Sequence, residues 1–345
     1  MNIEKIEQFL LENNLPKFRL EQIKKAIFAD GVSSFSEITT LSKDLREKMD
    51  SELKILSFDV EKILIADDGQ SIKALLKTCT GDLIETVLIS PKPGVWSACI
   101  SCQVGCAMGC RFCATGKMGF KRDLTAEEVT DQILFWKQYL NNNLKFKISN
   151  YKFTNVVYMG MGEPFLNWEN VSESIKILID EKLFGFGSRS ISVSTSGIVQ
   201  GIEKMSKEFP QINLAISLHF ANDQKRDRFM PVNKKDNLDS LREALKKYFQ
   251  ITKRKVFLEY IMLDGINDTA LDAKMLADFI YSIGNKQLLH VNLIRYNMTS
   301  EELKPSSKTR TQLFKQELEK HQINATIRKS LGEEIKAACG QLAGE

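Results

Sequence analysis

The residues best suited to chemistry in this 345-residue chain are its seven cysteines. Cys99, Cys102, Cys106, Cys110 and Cys113 crowd into fifteen residues, Cys79 stands apart, and Cys339 lies close to the end. The opening Met1-Asn2-Ile3-Glu4-Lys5-Ile6-Glu7 mixes charges in a helical pattern and lacks the apolar stretch of a secretory leader, so a cytoplasmic location is expected. In that reducing setting an odd number of thiols points to metal ligation or thiol chemistry rather than a disulfide scaffold. Cys106-Ala107-Met108-Gly109-Cys110-Arg111-Phe112-Cys113 has the spacing C-x3-C-x2-C. A structural zinc site takes four protein ligands, yet no second Cys/His pair follows, and His219, His290 and His321 are distant in sequence. Three soft ligands on one short loop suit an iron–sulfur cluster whose fourth iron stays open to a small molecule. Gly105 and Gly109 let the backbone wrap, and Phe112 can shield one side.

This triplet, with an aromatic residue before its third cysteine, resembles the signature of the radical S-adenosylmethionine superfamily. The resemblance implies a [4Fe–4S] cluster on Cys106, Cys110 and Cys113, whose open iron chelates the amino and carboxylate groups of S-adenosylmethionine. An electron from the cluster then splits the sulfonium to give a 5′-deoxyadenosyl radical.

Such a loop must be held by larger elements, and the pattern after it provides them. Thr125-Ala126-Glu127-Glu128 reads as a capping box opening a helix to about Tyr139, with Val129, Ile133 and Trp136 on one face. Strands are expected at Ala98–Gln103, Thr154–Met159, Ser190–Thr195, Asn213–Leu218, Lys255–Met262 and Leu289–Ile294. Helices near 168–183, 198–208, 238–249, 270–281 and 307–321 alternate with them. Six βα units predict an α/β fold, a partial (β/α)6 barrel with right-handed crossovers and its ligands at the carboxyl ends of the strands. Those ends are polar: Gly160-Met161-Gly162-Glu163-Pro164, Ser194-Thr195-Ser196-Gly197, Ser217-Leu218-His219 and Arg295-Tyr296-Asn297. Ahead of the barrel, helical patterns (Ile3, Ile6, Phe9, Leu10; Leu20, Ile23, Ala26, Ile27, Phe28) lead into strands at 61–66, 71–78 and 83–89. These form a small antiparallel meander, with Glu85 on its last strand, expected at an edge. Three parts follow: an accessory domain over 1–90, a core over 91–329 and a tail over 330–345.

The tail, after an expected strand at Asn324–Arg328, ends in Ala337-Ala338-Cys339-Gly340-Gln341-Leu342, a cysteine between small residues. With the cysteine loop and Gly160–Pro164, this tail closely resembles the RlmN family of radical S-adenosylmethionine adenine methyltransferases, over essentially the whole chain. The family resemblance implies two cofactor molecules per turnover. Cys339 accepts a methyl group from the first, and the radical made from the second takes a hydrogen from that S-methyl. The carbon radical adds to C2 of adenine, an electron-poor position that no nucleophilic attack could methylate directly. Glu85 matches the base that removes the C2 proton, and Cys99 the thiol that attacks Cys339, releasing product and leaving a disulfide. Gly162, Glu163, Ser194, Ser217, Leu218, His219 and Asn297 match cofactor-binding positions. The implied partners are 23S ribosomal RNA near the peptidyl-transferase centre, tRNA beside the anticodon, and an electron donor such as a flavodoxin system. Cys102 departs from the family pattern, standing where many relatives have Ser.

Composition agrees with this reading without specifying it. Residues 1–90 carry 12 Lys/Arg against 16 Asp/Glu and the remainder 36 against 28, so the larger part is the basic one, as suits a polyanionic substrate. No run of about 18 apolar residues marks a membrane span. The nearest rival is the sister enzyme Cfr, which methylates C8 of the same ribosomal adenine. Leu293-Ile294-Arg295-Tyr296-Asn297 resembles that sister, whereas Pro164 after Gly-Met-Gly-Glu resembles the C2 enzyme, and the sequence favours C2. A cluster-bearing RNA-binding or redox-sensing protein would leave Cys339 without a task.

Overall fold

The computed structural model describes residues 1–143 and 151–344; Glu345, the end of the expected tail, lies outside them. Twelve strands are formed among these residues: β1 (Phe58–Ile65), β2 (Ser71–Thr78), β3 (Leu83–Lys92), β4 (Val95–Cys99), β5 (Gln103–Gly105), β6 (Phe120–Asp123), β7 (Lys152–Tyr158), β8 (Ile191–Thr195), β9 (Asn213–Ser217), β10 (Val256–Met262), β11 (Leu289–Arg295) and β12 (Ala325–Ile327). Ten of them make one sheet in the order β1-β2-β3-β4-β7-β8-β9-β10-β11-β12. From β4 to β12 every neighbouring pair is parallel. The six expected core strands are therefore β4 and β7 to β11, with helices at Trp168–Ile179, Val199–Glu208, Leu238–Ile251, Ala270–Ile283 and Lys308–Lys320 between and after them. The fold is the expected open (β/α)6 arrangement, with the short β12 as an added edge.

Two strand expectations need correction. The first core strand runs over Val95–Cys99, not Ala98–Gln103, because Cys102 and Gln103 are drawn away to bond the Met161 carbonyl, and Gln103 starts a separate two-stranded ribbon, β5 with β6. Likewise β3 is no edge strand: it pairs with β2 on one side and β4 on the other, so Glu85 is almost fully buried. The expected boundary at residue 90 falls inside β3, and by hydrogen bonding the meander and the core share one sheet.

Strand alternation divides the sheet into two faces. Ala98, Val156, Tyr158, Val193, Leu214, Ile216, Leu258, Tyr260, Val291 and Leu293 are buried on the helix-facing side. There the helix Ala126–Asn142 packs Val129, Ile133 and Trp136 into the core, and Trp136 Nε1 donates to Thr86 Oγ1 on β3 at 3.0 Å. Its capping box is formed as expected: Glu128 N donates to Thr125 Oγ1, and Thr125 N to the Glu128 carboxylate. The same helix carries the N-terminal helices Ile3–Glu12, Phe18–Lys24 and Lys43–Glu52, whose separate core of Ile6, Phe9, Ile23, Ile27, Phe35 and Met49 meets it at Leu134. Gln138 Nε2 seals that junction by donating to the Val32 carbonyl at 2.8 Å.

Ile133 is fully buried at the centre of this packing. Ile133→Ala is expected to lower the unfolding free energy by about 2–5 kcal/mol, measured by urea denaturation, since a cavity here has packed neighbours on every side. A loss under about 1 kcal/mol would show that the helix is not the keystone of the sheet.

Candidate active site at the carboxyl ends of the strands

The other face of the sheet lines the barrel. Register places Leu75 beside Glu85, Lys73 beside Val87, and Val87 beside Cys99. Cys99 in turn aligns with Val157, and Val157 with Ser192. One residue pair further along, Ser194 aligns with Ala215, Ser217 with Glu259, and Glu259 with Asn292. Thus Lys73, Glu85, Cys99, Ser194, Ser217, Glu259 and Asn292 all point inward. Ser194 Oγ and Ser217 Oγ stand 3.4 Å apart across neighbouring strands.

The cysteine loop is set over this face by its glycines and by the β5–β6 ribbon. Gly105 has φ +74°, and a Cβ there would lie 1.9 Å from the Gly119 carbonyl oxygen, which instead accepts from Cys106 N at 2.8 Å. The loop then turns into a short helix, Ala114–Met118, directly after Cys113. Arg111 N donates to the Phe229 carbonyl, and Phe112 packs edge-on against the His219 ring with centroids 4.9 Å apart. Burial pushes the Cys106 thiol up to about 12 and raises Cys110 further, with Cys113 adding to both shifts through its charge. Three thiols this close in an apolar setting gain most by giving up protons to a cation or cluster. Among the described residues no three His, Cys, Asp or Glu side chains surround a single-ion site, and the fit to a cluster rests on the all-sulfur donor set.

The strand ends close round the same loop. Gly162 has φ +105°, and any Cβ would strike Gln103, whose Oε1 accepts from Glu163 N at 2.8 Å. Glu163 is buried; desolvation raises its carboxyl, while Ser196 N, donating to Oε2 at 2.7 Å, and Phe165 N oppose the rise. Leu218 is fully buried, and its carbonyl accepts from Arg226 Nε. His219 sits at φ +57°, a costly conformation for a residue with a Cβ. Its Nδ1 accepts from Ile261 N at 3.2 Å, and burial, followed by the Arg226 charge, lowers it to about 3, so the ring is neutral with its proton on Nε2. Asn297 donates from Nδ2 to the Cys339 carbonyl at 3.1 Å, and its buried Oδ1 has no partner. An orphaned acceptor beside the loop is what a hydroxyl- or amine-bearing ligand would satisfy.

Cys339 is brought into this mouth by the tail. Ala114 N donates to the Gly340 carbonyl and Thr115 Oγ1 to the Leu342 carbonyl, at 2.8 and 2.6 Å. Cys339 as a residue is exposed, yet desolvation by the surrounding protein raises its thiol; the Glu259 carboxylate adds to the rise and Arg328 opposes it. Cys99 is raised chiefly by burial and secondly by Cys339, and Cys113 contributes to the shift on Cys339. Cys339 thus lies within electrostatic reach of both Cys99 and Cys113.

A chain with this barrel, this loop and this tail can be compared with known proteins. Residues 100–276 match the family described as the radical SAM superfamily, and residues 1–55 the ribosomal RNA large subunit methyltransferase N-terminal domain. Over 99% of its length the chain is 40% identical to the protein named ribosomal RNA large subunit methyltransferase Cfr from Clostridium botulinum strain Okra, covering 96% of that protein. The chain belongs to the radical SAM methyltransferases of the RlmN/Cfr group. A protein also named Cfr, from Lachnoclostridium phytofermentans, is 38% identical over 99% of the chain and 97% of its own length. The crystal structure of a radical SAM methyltransferase from Sphaerobacter thermophilus superposes with a TM-score of 0.90 at 37% identity, over 100% of this chain and 98% of that one. Family membership implies a [4Fe–4S] cluster and S-adenosylmethionine, and the all-sulfur loop and the Asn297 orphan agree with that.

Some site residues escaped sequence reasoning. Glu259 and Asn292 look like single polar interruptions in apolar strands, and only their odd-even position beside Leu258, Tyr260, Val291 and Leu293 could have marked them as inward-facing. Arg226 lies on a helix that was not expected, Asp223–Phe229. Its fully buried guanidinium donates to the carbonyls of Leu218 and Ser196 and to Asn233 Oδ1, tying together two strand-end loops. Burial lowers it to about 10. Arg226→Met should leave those carbonyls unpaired, cost about 3 kcal/mol or more in urea denaturation, and weaken S-adenosylmethionine binding at least tenfold in calorimetry. Unchanged affinity would separate Arg226 from the cofactor loops.

Proposed function

We propose that the protein methylates C2 of an adenine in 23S ribosomal RNA, and that tRNA is a second substrate. Cys339 receives the methyl group, Cys99 resolves the RNA adduct, and Glu85 serves as base. The observation that carries the reading is the convergence of Cys99, Cys339 and the Cys106/Cys110/Cys113 loop in one mouth, with seven cysteines that are all free. The relatives named above are called ribosomal RNA large subunit methyltransferases, which supports the substrate class. When bound, the cluster and S-adenosylmethionine supply the 5′-deoxyadenosyl radical. The protein's own residues do the rest. Gly162, Glu163, Ser194, Ser217, Leu218, His219 and Asn297 orient the cofactor; one molecule serves methyl donation to Cys339 and a second the radical step. Cys99, sharing the inward face, attacks the Cys339 sulfur, so that the methylated base leaves and a disulfide remains that must be reduced before another turnover, while an external electron donor such as a flavodoxin system serves the cluster.

Regiochemistry divides two readings. Pro164 supports C2; the identity to proteins named Cfr, together with Leu293–Asn297, favours C8 as the second reading. Mass spectrometry of ribosomal and transfer RNA from a deletion strain, with the methyl position resolved, decides between them. Loss of the C2 methyl is the expected result; loss of an C8 methyl alone would establish the second reading.

Cys99→Ala is expected to purify with RNA attached to Cys339, seen as an adenosine-containing mass after nuclease digestion. Cys102 is a poor substitute thiol: unlike the half-buried Cys99 it is sealed in the apolar core, and its backbone is held by Met161, Leu124 and Asn167. A clean Cys99→Ala protein that still cleaves cofactor on substrate would rule out the covalent route.

The raised Cys339 thiol also sets a pH dependence. Only the thiolate accepts a methyl group, so incorporation of labelled methyl into the protein should keep rising as pH climbs through about 8.5, where an ordinary cysteine begins to level off. Levelling off about one unit above that pH would place Cys339 in an unperturbed environment, and a plateau below it would mean a lowered thiol; both outcomes count against the raised thiol.

A further inference from the structure

The Glu85 carboxylate does not stand free in the mouth. On one side Lys73 Nζ donates to Oε1 at 2.5 Å, and both side chains are almost completely buried. On the other, Oε2 accepts from Ala343 N at 2.7 Å and from Gly344 N at 3.2 Å, more than 250 residues along the chain. The strand that carries Glu85 is itself pinned at this point: its carbonyl accepts from Ser101 Oγ at 2.6 Å, and Glu85 N donates to Met161 Sδ at 3.3 Å. Gly344 fits only as a small residue, since a Cβ there would lie 3.1 Å from the Leu83 carbonyl oxygen.

We propose that Lys73 is a positioning residue for the reaction, holding Glu85 so that its second oxygen fastens the end of the tail and thereby sets where Cys339 stands. This rests on the reading of Cys339 as the methyl acceptor. The reasoning is one of valence. An ionised carboxylate is acceptor-only, with about two lone pairs on each oxygen. The ammonium takes Oε1, and two tail amides fill Oε2. Because Lys73 approaches diagonally from β2 on the inward face, it fixes the plane of the carboxylate and presents Oε2 to the tail. The tail is then held on both sides of Cys339: by Arg295 at Glu333 before it, by Asn297 at the Cys339 carbonyl, by Ala114 and Thr115 just beyond, and by Glu85 at its end. Oε2 becomes free to meet a substrate proton only when Ala343 and Gly344 lift away. One carboxylate therefore serves the docked tail and the displaced tail at different stages, and cannot serve both at once.

The test uses the full chain without its cluster, so that it does not depend on turnover. Amide hydrogen exchange of residues 339–344 and the rate of Cys339 alkylation by iodoacetamide are measured for Lys73→Met, Lys73→Arg, Glu85→Gln and Ala343→Pro. Lys73→Met and Glu85→Gln are expected to speed tail exchange and Cys339 alkylation by about tenfold or more, with Lys73→Arg restoring most of the protection. Ala343→Pro removes one donor outside the buried pair, and should speed alkylation several-fold while leaving the thermal midpoint unchanged; it keeps the test alive if Lys73→Met fails to fold. Wild-type protection of the tail in Ala343→Pro, or in a folded Glu85→Gln, overturns the proposal. Absence of methyl transfer to wild-type Cys339 would instead defeat the reading of Cys339 as acceptor, and leave the exchange results standing as a separate outcome that still supports or overturns the role of Lys73 in anchoring the tail.

Discussion

Ser217, Glu259 and Asn292 lie side by side in register on three parallel strands, with Asn292 Nδ2 donating to Glu259 Oε1 at 2.9 Å. That in-register row is the constraint on which the mouth depends. A slip of one residue in any of these strands would send the polar set into the helix-facing core and turn Leu258 or Val291 toward the cofactor side. The register is secured by the apolar face, where fully buried Leu214, Leu258, Tyr260 and Leu293 tolerate no exchange with charged neighbours. Hydrophobic burial on one side of the sheet thus places the reactive groups on the other.

A second consequence concerns the strained and buried groups at the strand ends. His219 in the left-handed region and Glu163 in a dry pocket would each destabilise an isolated element. They persist because Ile261 N donates to His219 and Ser196 N and Phe165 N donate to Glu163, while Arg226 fastens the Leu218 and Ser196 carbonyls of the two neighbouring loops. The cost is spread over elements whose packing is settled elsewhere. A site assembled in this way has its polar groups oriented by packing outside it.

The tail behaves differently. None of its described residues belongs to a helix or strand; it is held on the barrel by burial of Ala337 and Leu342 and by polar contacts to Arg295, Asn297, Ala114, Thr115 and Glu85. Small residues on either side of Cys339 let it pass close over the cysteine loop; a Cβ on Gly340 would come within 3.4 Å of the Phe112 carbonyl oxygen. A segment with no helix or strand of its own, fastened by a few polar contacts and two apolar anchors, opens at lower cost than the sheet it lies on.

Much of this was legible in the residues themselves. The C-x3-C-x2-C triplet, the alternation of strand and helix patterns, the capping box at Thr125 and the tail cysteine are local facts of type and spacing, and they determined the fold class and the chemistry to be expected. The sequence could not show that β3 lies inside the sheet, since edge and interior strands share one apolar alternation until their partners are known. Nor could it pair Lys73 with Glu85, or Glu85 with Ala343 and Gly344, because those contacts join points far apart along the chain and arise only when β2, β3 and the tail meet. Glu259 and Arg226 escaped for the same reason. A lone polar residue in an apolar strand or a short basic helix declares its role only through what tertiary packing sets opposite it. Local chemistry is written in residue type and spacing, whereas burial and partnership belong to the folded chain.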